Sequence, residues 1–164
     1  VYFSPTDIVS FAVRDELRAA RESLHFALFF WTDGMLAEEV AALIPTGLGV
    51  YGLWDWLGET NVSSQDEFLC AAGGRIGIEP FPGKLHHKFA VIDATGADPA
   101  VILGSYNWTN SGAYKNDENT LIIHDADLAE LYLGEWERLW AGIELADICN
   151  PQQILIPFVV NNSS

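Results

Sequence analysis

His86 and Lys88 open an apolar run, "HHKFAVID" (86–93), with Asp93 at its end. An imidazole can attack an electrophile or carry a proton, and an ammonium group can hold an anion. Side chains two apart in a strand share a face, so His86 and Lys88 are expected to point with Ala90 and Ile92, and His87, Phe89 and Val91 the other way. The next apolar run, "AVILGS" (100–105), leads into "GSYNWTNSG" (104–112), where Ser105 and Asn107 again share a face and Gly104 permits close backbone approach. If the two runs pair as a hairpin, one edge gathers an imidazole, an ammonium, a hydroxyl and a carboxamide. That set suits a phosphate. Asp93 has the wrong parity to join it, and a structural role is expected there: orienting backbone or a neighbouring basic group.

An isolated H-x-K is most simply the solvent edge of a strand. The ordered series that follows, Asp93, then "GSYN", then "NDEN" (116–119), carries more weight. The elements that must position these residues alternate early and cluster late. Residues 7–22 read as a helix capped by Thr6 or Asp7, with Ile8, Phe11, Ala12, Leu17 and Ala20 near one face; 23–30 as a strand; 35–44 as a helix ended by Pro45 and Gly47. Residues 49–56 read as a strand, and 63–72 as a helix capped by Ser63 or Ser64 and stopped by Gly73 and Gly74. Strands over 86–93, 100–105 and 119–125 follow, then a helix opened by Asp127 whose stripe is Leu128, Leu131, Tyr132, Trp136 and Leu139. This order predicts an α/β fold, a mixed β-sheet flanked by helices on both faces.

With 164 residues, 49% of them hydrophobic, and six tryptophans, the chain is expected to form one domain over 1–150. Residues 151–164 then form a C-terminal tail or the start of a linker. Disorder is excluded, and no apolar stretch reaches the roughly 20 residues of a membrane-spanning helix. The chain begins at Val1 without methionine or signal pattern, and is read as a piece of something longer; the compartment stays open, export included. Cys70 and Cys149 have no metal-type spacing, and two buried thiols are expected ahead of a disulfide. The net charge of −15 opposes nucleic acid and anionic membrane unless positive charge is concentrated. The window from Arg75 to Glu118 carries only −1, so the acidity lies elsewhere.

The series "HHKFAVID…GSYNWT…NDEN" resembles the phospholipase D superfamily signature, H-x-K-(x)4-D followed by G-S-x-N, and is most similar to its single-motif nuclease branch. "YFSPTD", "AARESLHFALFFWTD" and "LAELYLGEWERLW" extend the likeness over most of the chain. The resemblance implies an α-β-α sandwich and a metal-independent phosphodiesterase. His86 would attack phosphorus to form a phosphohistidine. Lys88, Asn107 and Ser105 would hold the non-bridging oxygens, and Glu118 would hydrogen-bond a catalytic imidazole. Asp93 completes the motif. Ten residues separate Asp93 from Gly104, more than is common in the family, which implies a lengthened hairpin turn at "TGADP".

A second histidine should protonate the leaving oxygen, yet His25 reads as core, His87 faces away from His86, and His124 reads as solvated. A homodimer would bring a second His86 across a two-fold axis. No cofactor is implied. Asp93, Asp98, Asp117 and Glu118 show no metal-ligand spacing, and Lys88 would oppose a cation. Tyr106, Trp108 and Phe81 are either rim residues that meet a base or an acyl chain, or packing behind the site. The substrate expectation is a phosphodiester of nucleic acid, with phospholipid as the alternative and a non-catalytic phosphate-binding or assembly module as the third reading.

Overall fold

A computed structural model of the chain describes residues 1–79, 83–143 and 149. Seven strands form one sheet: β1 (Tyr2–Ser4), β2 (Ser23–Leu28), β3 (Gly49–Asp55), β4 (Arg75–Glu79), β5 (Lys88–Ile92), β6 (Ala100–Gly104) and β7 (Glu118–His124). The helices are α1 (Val9–Ala19), α2 (Gly34–Leu43), α3 (Trp56–Glu59), α4 (Asp66–Ala72), α5 (Asn110–Tyr114) and α6 (Ala126–Gly142). Strand order is β1-β7-β6-β5-β2-β3-β4, with β2, β3 and β4 parallel and every other pairing antiparallel. The sheet is therefore mixed. The β2–β3 and β3–β4 crossovers carry α2, α3 and α4, whereas β5 and β6 are joined by a turn and β6 reaches β7 through α5.

Alternation along the strands sorts the core into two layers. Leu24, Phe26, Leu28, Ala90, Ile92, Ala100 and Ile102 pack toward α1, α2 and α4. Ala27, Leu53, Phe89, Val91 and Val101 pack toward α6. Helices thus cover both faces, as the order of elements predicts. The α6 side is tied down by the Trp136 indole N–H, which donates to the Phe26 carbonyl at 2.9 Å.

Several local expectations are corrected. In α1 the buried stripe is Val9, Val13 and Leu17, while Ile8 and Phe11 are exposed, a rotation of the apolar face that periodicity alone misjudged. Asp7 accepts the Phe3 N–H at 2.7 Å and secures β1, and α1 has no side-chain cap. Leu131 on α6 is exposed, and Asp125 caps that helix ahead of Asp127 by accepting the Leu128 N–H. The helix expected at 63–72 starts at Asp66 and is not capped by Ser63 or Ser64; Gly73 ends it in the left-handed region, φ 105°. The run expected as a strand over 49–56 breaks after Asp55, whose side chain caps α3.

The expected free thiols are also corrected: Cys70 of α4 and Cys149 form a disulfide across 79 residues of sequence. Each is a lone cysteine in its own neighbourhood, so only the tertiary fold could pair them. The tail expected over 151–164 and the rim residue Phe81 lie outside the described residues.

Candidate active site

The antiparallel arrangement brings four chain segments to one end of the sheet. There β2 and β6 end, and β5 and β7 begin. His86 precedes β5, Ser105 and Asn107 follow β6, and Glu118 opens β7.

His86 and His87 are not part of the strand, which starts at Lys88. They form an extended lead-in held at three points. The Leu85 N–H donates to Asp55 at 2.8 Å, the Lys88 ammonium to the His86 carbonyl at 2.8 Å, and the Phe29 N–H to the His87 carbonyl at 3.0 Å. The faces follow the expected alternation. His87 meets Phe89 and Glu135 of α6, whereas the His86 ring packs against Phe29 with centroids 4.8 Å apart.

Phe29 gathers the positive charge. The Lys88 and Lys84 ammonium groups lie 5.0 and 5.1 Å from its ring centre, a cation–π arrangement that holds two cations beside one imidazole. Burial, then the charges of Lys88 and Lys84, hold the His86 imidazole below its ordinary value, a shift toward the uncharged form that a nucleophile needs. Burial also lowers Lys88, while the Glu118 carboxylate works against that shift.

On the β6 side, Gly104 has φ 152°, and a Cβ there would meet the Asn119 carbonyl oxygen at 2.0 Å. Only glycine fits, and the close approach delivers Ser105 to the mouth of the site. Ser105 Oγ accepts the Asn119 N–H at 3.1 Å, leaving its hydroxyl proton free to donate. The chain then crosses the sheet end to bridge Trp108 with Trp31; Thr32 and Asp33 donate their N–H groups to the Trp108 carbonyl at 2.9 and 3.0 Å. This crossing is what carries Asn107 toward the start of β5. Its side-chain oxygen is buried and makes no hydrogen bond. That oxygen is therefore held by packing. Tyr106 and Trp108 are buried, and Trp108 packs with Trp31 and Phe26 behind the site, so the packing reading is the one the structure shows for both.

Two expected residues are placed differently. Asp93 was grouped with the catalytic set, but it lies at the opposite end of β5, five residues or about 16 Å of strand from Lys88. Its carboxylate accepts the N–H groups of Arg21, Glu22 and Ser23 at 2.7, 2.7 and 2.9 Å, and its own backbone turns through φ 48°. That is the backbone-orienting role its parity suggests. Glu118 accepts from Asn116 at 3.1 Å and reaches Lys88 electrostatically; among the described residues it makes no hydrogen bond to an imidazole of its own chain.

The other histidines stand apart from His86. His25 stacks on Tyr51 and meets Trp136 edge-on, His87 faces α6, and His124 sits at the far end between Asp98 and Glu16. Sequence reasoning missed Phe29, Lys84 and Asp55. Phe29 and Asp55 lie at the ends of the neighbouring parallel strands, a position that could have marked them had strand order been known.

Comparisons with known proteins bear on the family and the fold. Residues 13–140 match the family model described as cardiolipin synthase, PLD-like domain. The chain is 36% identical over 124 residues to the human mitochondrial cardiolipin hydrolase, covering 76% of this chain and 48% of that protein. It is 30% identical over 134 residues to a phospholipase D of Rickettsia bellii, covering 82% of this chain and 65% of that one. The chain thus spans about half the length of the mammalian cardiolipin hydrolases it matches. Among solved structures, the fold is similar to Nuc of Salmonella typhimurium, a phospholipase D family member, with TM-score 0.78 and 23% identity over 85% of this chain and 91% of that one. NucT of Helicobacter pylori superimposes with TM-score 0.77 and 19% identity over 87% and 94%. A family model covering most of the chain, on a sheet with the same architecture, means that this protein belongs to the phospholipase D-like family.

Proposed function

We propose that the chain is a phosphodiesterase in which His86 attacks phosphorus. The observation that carries this reading is the His86 ring packed on Phe29 beside two ammonium groups, Lys88 and Lys84, at the sheet end where β6 leads into Ser105 and Asn107. In the first step the His86 ring nitrogen forms a bond to phosphorus as the ester P–O bond breaks, giving a phosphohistidine. Lys88 and the neutral donors of Ser105 and Asn107 hold the non-bridging oxygens as negative charge builds on them. Water then attacks the phosphohistidine and releases His86.

The departing oxygen needs a proton, and no other imidazole of this chain is directed at His86. A homodimer supplies it: the partner's second copy of the motif would protonate the leaving group. Glu118, free of any imidazole within its own chain, would orient one across the axis. Two ammonium groups at the site also oppose a divalent cation, so turnover should survive chelation.

Nucleic acid remains the first substrate reading, in keeping with the motif wording. A phospholipid is the second reading: the net charge of −15 opposes nucleic acid and anionic membrane alike, and a zwitterionic lipid surface is the phosphodiester source it opposes least. The relatives named as cardiolipin hydrolase and phospholipase D point the same way. The test compares, with EDTA present, cleavage of single-stranded DNA and RNA with hydrolysis of cardiolipin and phosphatidylcholine in vesicles, for wild type and His86→Ala. Hydrolysis lost in the variant is the expected result. Turnover unchanged in His86→Ala, or absent from the wild type on every substrate, would leave the non-catalytic module as the surviving reading. A strictly monomeric enzyme with full activity would remove the shared site.

A further inference from the structure

Asp55 is fully buried, carries a carboxylate, and has no part in the chemistry described above. It ends β3, two strands away from β5 across the sheet, with β2 between them. One carboxylate oxygen accepts the Leu57 N–H at 2.9 Å and so caps α3; the other accepts the Leu85 N–H at 2.8 Å. Leu85 is itself buried in the layer under α6 and lies directly before His86. Resting on the phosphodiesterase reading, we infer that Asp55 is a positioning residue for the nucleophile: it clamps the backbone of Leu85 and thereby fixes the placement of His86.

The need for such a clamp follows from the fold. His86 stands outside the strand, so no β-ladder bond of its own sets its position. Among the described residues, the backbone of segment 85–88 is held downstream by the His87 carbonyl, which accepts from Phe29, and at its upstream end by Asp55. In the middle the His86 carbonyl accepts from the Lys88 ammonium, which sits on a flexible stem. A carboxylate serves better than an amide there, because it offers an acceptor to each of two N–H groups, and charge-assisted bonds are about twice as strong as neutral ones. An asparagine would have one acceptor for two donors and turn an N–H toward the other. Misplacing a reacting nitrogen by about 1 Å can cost on the order of 100-fold in rate.

Asp55 also faces the same electrostatic neighbourhood. Burial lowers the His86 imidazole, Lys88, Lys84 and His87 push it the same way, and Asp55 opposes them. Removing the Asp55 charge should therefore lower the His86 titration further.

Asp55→Asn is the test, read by NMR titration of the His86 ring and by steady-state kinetics on the substrate that the wild type cleaves. The expected result is a His86 titration moved to lower pH, with kcat reduced about 100-fold and KM changed far less. Asp55→Glu, which keeps the charge but displaces it, should leave the titration near wild type while kcat stays low. A His86 titration and a kcat both unaltered in folded Asp55→Asn would overturn the inference. Should that variant not fold, hydrogen exchange at the Leu85 amide of the wild type decides: protection comparable to β5 is expected, and free exchange overturns the clamp. The titration and exchange readouts need no turnover, so a failure of the phosphodiesterase reading would show as an inactive wild type with these two results intact.

Discussion

The two ends of β5 carry the same motif and handle charge in opposite ways. At the Lys88 end the ionisable groups are underpaired: His86 is exposed, two ammonium groups lean on the Phe29 ring, and Asn107 has a buried oxygen with no partner. At the Asp93 end the charges nearest the strand are paired. Asp93 takes three backbone N–H groups, and His124 is gripped by Asp98 at 3.0 Å and Glu16 at 3.5 Å. The histidines record the contrast, since His86 is held below its ordinary value by burial and its lysines, and His124 is raised by its hydrogen bond to Asp98. A motif contiguous in sequence is thus split by the strand into an end proposed for the chemistry and an anchoring end. Stability is stored where groups are satisfied, and chemistry is available where they are not.

Substitution at each end tests the division. The largest expected effect is His86→Ala, which should lower turnover at least about 1,000-fold, measured on an activated phosphodiester, with the melting temperature nearly unchanged. Asp93→Ala should do the reverse. Three N–H groups lose a buried charged acceptor, so denaturant unfolding should show a loss of about 3–5 kcal/mol, while turnover per folded molecule stays within about threefold. Equal damage to rate by both variants would erase the distinction.

Gly104→Ala probes the strand that delivers Ser105. The Cβ would strike the Asn119 carbonyl in a backbone conformation disfavoured for alanine. A loss of about 2–3 kcal/mol and a fall in activity are expected together, because the same close approach serves both.

Between the ends, burial holds His25 neutral, its value brought down to about 4 from 6.5. The unfolded chain therefore takes up a proton before the folded one does, so stability should fall as pH drops from about 6.5 to about 4 and level off below. His25→Phe should flatten that limb in thermal melts taken across the range. The smallest effect is expected at His124, whose folded value is raised: its contribution is fully present below the unfolded value and fades as pH rises through the folded one. Asp98→Asn should weaken that dependence, with Glu16 keeping part of it, and the effect is modest because the Asp98 pair is exposed.

Much of this was legible in the chain before any coordinates. Alternation in "FAVI" sorted Phe89, Ala90, Val91 and Ile92 correctly between the two layers, and parity alone separated Asp93 from Lys88. The short elements β1, β4, α3 and α5 escaped, because three to five residues carry too little periodicity to register. In α1 the apolar residues on both sides of the helix left its buried face ambiguous, and the sheet chose Val9, Val13 and Leu17.

Order and spacing of residues by themselves determined the alternating layout, the faces of strand 86–93, and the candidate set His86, Lys88, Ser105 and Asn107, since these depend on the local geometry of the backbone; Glu118 came from the family resemblance. The tertiary structure alone decided that His86 sits before the strand, that Phe29 and Lys84 share its site, that Asp55 holds Leu85, and that Cys70 meets Cys149. Those contacts join residues tens of positions apart, and their existence depends on strand order and register, which arise from burial of the whole sheet rather than from any stretch of the chain.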